Sequence, residues 1–277
     1  MDLGLKNKVA LVAGGSSGIG LAVATELAAE GAHVAIAARG VEQLERAKHG
    51  LEQVAAGGRI RADALDLTDR AATERWVAEV AADFGALHVV LVSGGSPPIG
   101  SATSFTPDDY QAAVAQVLYP AVTLALAAVP HLRAAGWGRL LFVASETAVV
   151  PVGPLTLSGL TRAAIVRFAQ GLAADLGTAN ITVNVLAPGT VHTPPIERAA
   201  ARLASSPDQV AARLAAIGEH SALRRLARPD EIGAMAAFLA SERASFVTGA
   251  VHLIDGGASV VGPDLAHLTG VSPDTFS

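Results

Sequence analysis

The chain turns on Val9-Ala10-Leu11-Val12-Ala13-Gly14-Gly15-Ser16-Ser17-Gly18-Ile19-Gly20. An apolar run of strand character enters a glycine-rich turn, and Gly20–Glu30 then has helical length and periodicity. Glycines between a strand and a helix let the backbone approach a pyrophosphate closely, with the anion at the positive helix N-terminus. The placement carries the weight, because the same glycines elsewhere would mark an ordinary turn.

The alternation continues outward. Val34–Ala38, Val89–Val92, Leu140–Val143, Thr182–Leu186 and Val251–Ile254 read as further buried strands, with Ile60–Leu65 a weaker one. Near-continuous apolar strands belong to parallel sheet covered on both faces. Val41–Val54, Arg70–Phe84, Asp108–Ala134 and Leu157–Leu176 have helical length and periodicity. The expected fold class is α/β: a single doubly wound, Rossmann-type domain over residues 1–277, with a mostly parallel sheet and helices on both faces. Two segments fall outside the alternation: a helical insertion at about 194–226 and a Gly/Pro-punctuated tail at 258–277.

Composition narrows the function. The 277 residues include no cysteine, which excludes a disulfide framework, a thiolate metal site and a cysteine nucleophile. The net charge of −5 comes without a basic block, so no nucleic-acid partner is expected. His33, His49, His88, His131, His220, His252 and His267 show no metal-ligand spacing, and no metal is expected. Met1–Lys8 lacks a basic region followed by an apolar one, so the expectation is a cytoplasmic chain. Ala112–Pro130 approaches membrane-spanning length. Its alanine-rich composition favours a core or interface helix, and no membrane partner is expected.

Further motifs point to one family. The spacing Gly14-x3-Gly18-x-Gly20, Asp66-Leu67-Thr68-Asp69, Asn184-Val185-Leu186-Ala187-Pro188-Gly189 with Thr193, Arg228-Pro229-Asp230-Glu231-Ile232, and Asp255-Gly256-Gly257 resemble the short-chain dehydrogenase/reductase family. The likeness is to its 3-oxoacyl-acyl-carrier-protein reductase-like members and covers residues about 5 to 257. It implies nucleotide contacts at Gly14, Ser16, Ser17, Gly18, Ile19, Gly20, Asp66, Leu67, Ser93, Gly94, Arg162, Pro188, Gly189, Val191 and Thr193. It also implies a homodimer or homotetramer through Ala112–Pro130 and Leu157–Leu176, and a substrate lid at the insertion. Arg39 ends the second strand where an acidic residue would hold a ribose 2′-hydroxyl. A guanidinium there pairs with a 2′-phosphate, so NADP(H) is favoured over NAD(H).

The resemblance breaks at the chemistry. The family uses a tyrosine as proton donor, a lysine four residues later, a serine at the substrate oxygen and an asparagine in a water relay. Ser145 matches the serine at the end of its strand, but Ser158 stands where the tyrosine is expected and Arg162 where the lysine is expected. The asparagine position falls near Gln116-Val117, with Val117 the better match. An alkyl hydroxyl titrates far above a phenol, whose pKa of about 10 a neighbouring cation can bring toward neutrality. Substitute donors are Glu146, as a buried acid with a raised pKa, His192, Tyr119, and a water held by Ser145 and Ser158.

Three readings follow. The first is an NADP(H)-dependent oxidoreductase acting on a small apolar or aromatic carbonyl or hydroxy compound, which Val149–Pro154 would face as an apolar wall. The second is a non-redox dehydratase, cyclase or isomerase on the same fold. The third is a cofactor-binding protein without catalysis.

Overall fold

The computed structural model describes residues 2–261. Its strands are β1 (Val9–Ala13), β2 (His33–Ala38), β3 (Ile60–Ala64), β4 (Val89–Val92), β5 (Gly138–Val143), β6 (Ile181–Pro188) and β7 (Val251–Ile254). All pair in parallel in the order β3-β2-β1-β4-β5-β6-β7. The order reverses direction between β1 and β4, and the carboxyl ends of the strands form a crevice there, the usual ligand position in such sheets.

The helices in chain order are α1 (Gly18–Ala29), α2 (Val41–Val54), α3 (Arg70–Phe84), α4 (Pro107–Ala113), α5 (Tyr119–Ala134), α6 (Thr156–Leu176), α7 (Pro194–Arg202), α8 (Pro207–Gly218) and α9 (Pro229–Ala240). Side chains of α3, α5 and α6, among them Val77, Leu124 and Ile165, pack with Leu11, Leu140 and Phe142 on one face of the sheet. Val23 and Leu27 of α1, Leu44 of α2 and Leu239 of α9 pack with Val12, Ile36 and Leu141 on the other. Each such side chain, buried in full, contributes about 1.5–3 kcal/mol. This two-sided burial explains why the strands read as unbroken apolar runs.

Local signals set the ends of several helices. Asp69 caps α3 by accepting from the amide of Ala72 at 2.9 Å, and Gly85 ends it at φ +83°. Thr106 and Asp109 form a reciprocal capping box at α4.

Three features depart from the sequence expectation. The helix expected over Asp108–Ala134 is divided by a wide π-type turn at Val114–Leu118. Pro120 has no N–H to give the carbonyl of Gln116, so a continuous α-helical ladder fails there. The 194–226 insertion is helical only to Gly218. Finally, α9 adds a helix that the alternation of apolar runs did not mark, and it begins where Glu231 accepts from the amide of Arg228 at 2.7 Å.

The run from Pro107 to Ala134 is long and apolar enough to cross a membrane by length and composition. Its Ala121, Leu124, Ala125, Ala128 and Leu132 pack on the core, while Tyr119 and Leu126 are exposed. The tail beyond residue 261 lies outside the described residues.

At the opposite, amino-terminal end of the sheet, His88 Nδ1 accepts from the amide of Val9 at 3.0 Å. Lys8 Nζ lies over the Trp137 ring at 4.2 Å from its centroid, and Arg139 Cζ lies over it at 4.0 Å. Arg139 is buried and donates to the carbonyls of Ser241 and Gly138.

Candidate active site

The crevice holds a cavity of about 700 Å³. It is lined by Gly14, Ser16 and Ser17, by Arg39 after β2, by Asp66 and Leu67 after β3, by Ser93 and Gly94 after β4, and by Arg162 of α6. Gln116, Val117 and Pro120 close it from the side of the π-type turn. A cleft of this size suits a drug-sized or larger ligand.

The glycine loop is built for close approach. A Cβ on Gly20 would collide with the carbonyl oxygen of Gly14, and Gly18 sits at φ +56° with its side facing the methyl of Thr193. Only glycine serves both positions without strain. Ser17 is the N-cap of α1 yet makes no side-chain capping bond, and the first turn contains no acidic residue. The positive helix end is thus presented without an internal anion, as an anion site requires.

Charge at one end of the cavity is arranged around Asp66 and Arg39. Asp66 accepts from the amide and hydroxyl of Thr68 at 3.0 and 2.8 Å. These bonds, backbone first, and the positive charge of Arg39 hold its carboxyl below the usual range. Arg39 is exposed on the cavity rim and makes no hydrogen bond or ion pair among the described residues.

At the inner end, Arg162 Nη1 donates to the carbonyl of Val143 at 3.1 Å, and Nη2 donates to those of Gly94 at 3.2 Å and Gly95 at 2.6 Å. Its Nε is buried without a partner. No carboxylate pairs with it among the described residues, and burial lowers its pKa to about 10. The guanidinium ties the loop after β4 to the end of β5.

Three hydroxyls are linked near the carboxyl end of β5. Ser145 Oγ accepts from the amide of Thr147 at 3.2 Å, and Thr147 Oγ1 lies 3.2 Å from Ser158 Oγ. Ser145 and Ser158 line neither this cavity nor the second one described below. Thr147 was not legible as a site residue. Its only sequence signal is a hydroxyl two places after the strand-end serine.

A second cavity of about 140 Å³ lies beside the carboxyl ends of β6 and β7. Glu146, Gly189, Thr190, His220, Ser221 and Asp255 are among its lining residues. Glu146 Oε2 is buried without a hydrogen-bond partner. Burial first, and then the negative charge of Asp255, push its carboxyl pKa up. Asp255 accepts from the amides of Gly257 and Ser259, both at 2.9 Å. These bonds outweigh its own burial and hold its pKa down.

The remaining sequence candidates are placed as follows. His192 Nε2 lies 2.9 Å from Glu197 Oε1 and lines neither cavity. Tyr119 is exposed, 63% accessible, and also lines neither. Pro188 ends β6 opposite Ile254, Val191 is buried against the Ala227 segment, and Ile19 packs partly into the core. The loop Val149–Pro154 borders neither cavity.

A strand-glycine-helix cradle under a cavity of this size matches a known family across most of the chain. The family model described as Enoyl-(Acyl carrier protein) reductase matches residues 13–259. The chain belongs to the short-chain dehydrogenase/reductase family. It is 31% identical over 256 residues to D-beta-hydroxybutyrate dehydrogenase of Cupriavidus necator, covering 91% of this chain and 98% of that one. It is 32% identical over 252 residues to the short-chain reductase protein NovJ of Streptomyces niveus, covering 91% and 94%. Among solved structures, L-sorbose reductase from Gluconobacter frateurii complexed with NADPH and L-sorbose superposes with a TM-score of 0.89 at 32% identity, covering 95% of this chain and 100% of that one. The chain is an oxidoreductase of this family.

Proposed function

We propose that the protein is a cytoplasmic, NADP(H)-dependent oxidoreductase that interconverts a small carbonyl compound and its alcohol through a proton donor other than tyrosine. The observation that carries the cofactor choice is Arg39, exposed on the rim of the large cavity with no hydrogen bond or ion pair among the described residues. A 2′-phosphate would accept charge-assisted bonds from it. The cavity, the uncapped positive end of α1 and the glycine cradle suit the dinucleotide. Gly14, Ser16, Ser17 and Gly18 would hold the pyrophosphate, Asp66 and Leu67 the adenine, and Arg162 with Gly94 the nicotinamide ribose. When bound, the cofactor supplies or accepts hydride.

The chain's own residues must orient the substrate and move a proton. Ser145 is the candidate to hold the substrate oxygen, because it follows β5 as the family's serine does. Arg162 acts as a fixed cation, since its three carbonyl bonds position it and a guanidinium does not titrate near neutrality. Titration of the purified protein with NADPH and with NADH, followed by fluorescence, tests the reading. Tight binding selective for NADPH is expected, and equal affinity for both would remove Arg39 from the argument.

A non-redox enzyme on this fold is the second reading. It is favoured by Ser158, whose hydroxyl faces Thr147 and lines neither cavity. Substrate turnover with constant NADPH absorbance would select it. We also propose a homodimer or homotetramer through the exposed side chains Tyr119 and Leu126 of α5 and Leu160 of α6. Light scattering that returned a monomer mass would refute that assembly.

A further inference from the structure

The missing tyrosine leaves the oxidoreductase reading without a proton source. Among the substitute donors, Glu146 differs from the rest in its surroundings. It directly follows Ser145, and its Oε2 lies about 3 Å from where a side chain on Gly189 would begin, at 3.1 Å. Its backbone adjoins the candidate substrate serine, and its carboxyl lies against Gly189 in the loop that the family resemblance assigns to the nucleotide. That oxygen is buried and has no hydrogen-bond partner. An ionised carboxylate left so would be uncompensated, whereas a neutral carboxylic acid keeps a proton to give.

The second cavity connects this group with the surface. The titratable and charged groups around it are Asp255 at the end of β7, His220 and Arg225 in the turn after α8, and Glu231 in α9. Arg225 is held by Glu231 through bonds of 2.7 and 2.8 Å, so it is not a counter-ion for Glu146. Asp255 is fixed by backbone amides and faces Glu146 as a negative charge. His220 is exposed on the rim. The cavity volume of about 140 Å³ accommodates several waters between them.

We propose that Glu146 is the proton donor and acceptor for the substrate oxygen, exchanging its proton with solvent through the second cavity. The proposal rests on the oxidoreductase reading above. In reduction, the carbonyl carbon takes hydride from the bound dihydronicotinamide and the C=O π pair moves to oxygen. Glu146 gives its O–H proton to that oxygen and is left as a carboxylate, and a solvent proton arriving past His220 restores the acid. Oxidation runs these transfers in reverse. Gly189 is part of the arrangement: its Cβ position lies against both Asp255 and Glu146, so a side chain there would close the approach.

Two measurements decide it. Infrared spectra of the purified protein, taken across pH, should show a protonated carboxyl band persisting above the ordinary glutamate pKa of about 4.3. The band should vanish in Glu146→Gln and titrate at lower pH in Asp255→Asn, because removing a like charge favours the carboxylate. A Glu146 band that titrates with the ordinary carboxylates overturns the proposal. The second measurement uses NADPH with a panel of aliphatic and aromatic aldehydes and ketones. For any compound turned over, Glu146→Gln should lower kcat by about 10²–10⁴-fold, with KM and NADPH affinity unchanged. A loss confined to KM would make Glu146 a substrate contact and overturn the proposal while the oxidoreductase reading stood. If no compound oxidised NADPH, the oxidoreductase reading would fail first and the donor role with it.

Discussion

Replacing Arg162 by lysine, the residue that family resemblance places there, tests how the large cavity is held. The guanidinium reaches three carbonyls at once, those of Val143, Gly94 and Gly95. One ammonium near the position of Nη2 can keep the two glycine carbonyls, but it leaves the buried Val143 oxygen bare. An unsatisfied buried acceptor costs about 1–3 kcal/mol. Ammonium is also the more strongly hydrated cation, so burying it adds to the loss and does not offset it. For a chain of this size, about 2–4 °C per kcal/mol puts the fall in Tm at about 2–12 °C. Calorimetry of the wild type and Arg162→Lys measures that fall. NADPH titration of the same samples should show weaker binding, because the loop after β4 loses its tie to β5. An unchanged Tm with unchanged NADPH affinity would refute the claim that the three bonds support the cavity.

Other substitutions probe separate parts of the same argument. Arg39→Ala should weaken NADPH by about 10- to 100-fold, the loss of one charge-assisted bond at about 1.5–3 kcal/mol, and leave NADH unchanged; fluorescence titration of both nucleotides checks it. Gly20→Val places branched carbon against the carbonyl of Gly14, so nucleotide binding should be lost in the same titration even where circular dichroism shows a folded protein. Glu146→Gln should change how stability depends on pH. The folded pKa of Glu146 is raised, so its contribution is fully present below the unfolded value and is lost as pH rises through the folded one. The variant should therefore gain in Tm relative to wild type as pH increases, and a pH-independent difference would contradict the raised pKa.

Much of the architecture was legible because one physical signal repeats. Strands buried on both faces must be apolar throughout, and β4 and β7 fall where their apolar runs placed them, at Val89–Val92 and Val251–Ile254. The limits of α2 and α3 also agree, since amphipathic periodicity ends where their caps begin. Gly14, Arg39, Asp66, Ser93 and Arg162 share one cavity because each follows a strand or opens onto the crevice, a relation that chain order preserves. The contacts between distant segments were not legible. Nothing in the sequence near Glu146 indicates that Asp255 and His220, more than 70 residues further on, border the same space. The turn of Ser158 toward Thr147 likewise depends on how α6 lies against the end of β5, which periodicity leaves open. At Val114–Leu118 the apolar pattern continues through the widened turn, so only Pro120 marks the change in backbone.

The cations stacked about Trp137 give the protein a built-in optical division of labour. The chain has two tryptophans. Trp137 stands just before β5, at the end of the sheet away from the crevice, with Lys8 and Arg139 over its ring. Trp76 is buried in α3 and donates to Asp63 at 2.9 Å. Neither lines either of the two cavities described above. Intrinsic emission from this protein consequently reports the integrity of its packing, while the emission of a reduced nucleotide reports occupancy of the crevice. One cuvette can then follow unfolding and binding through two colours, without adding a dye or engineering a probe.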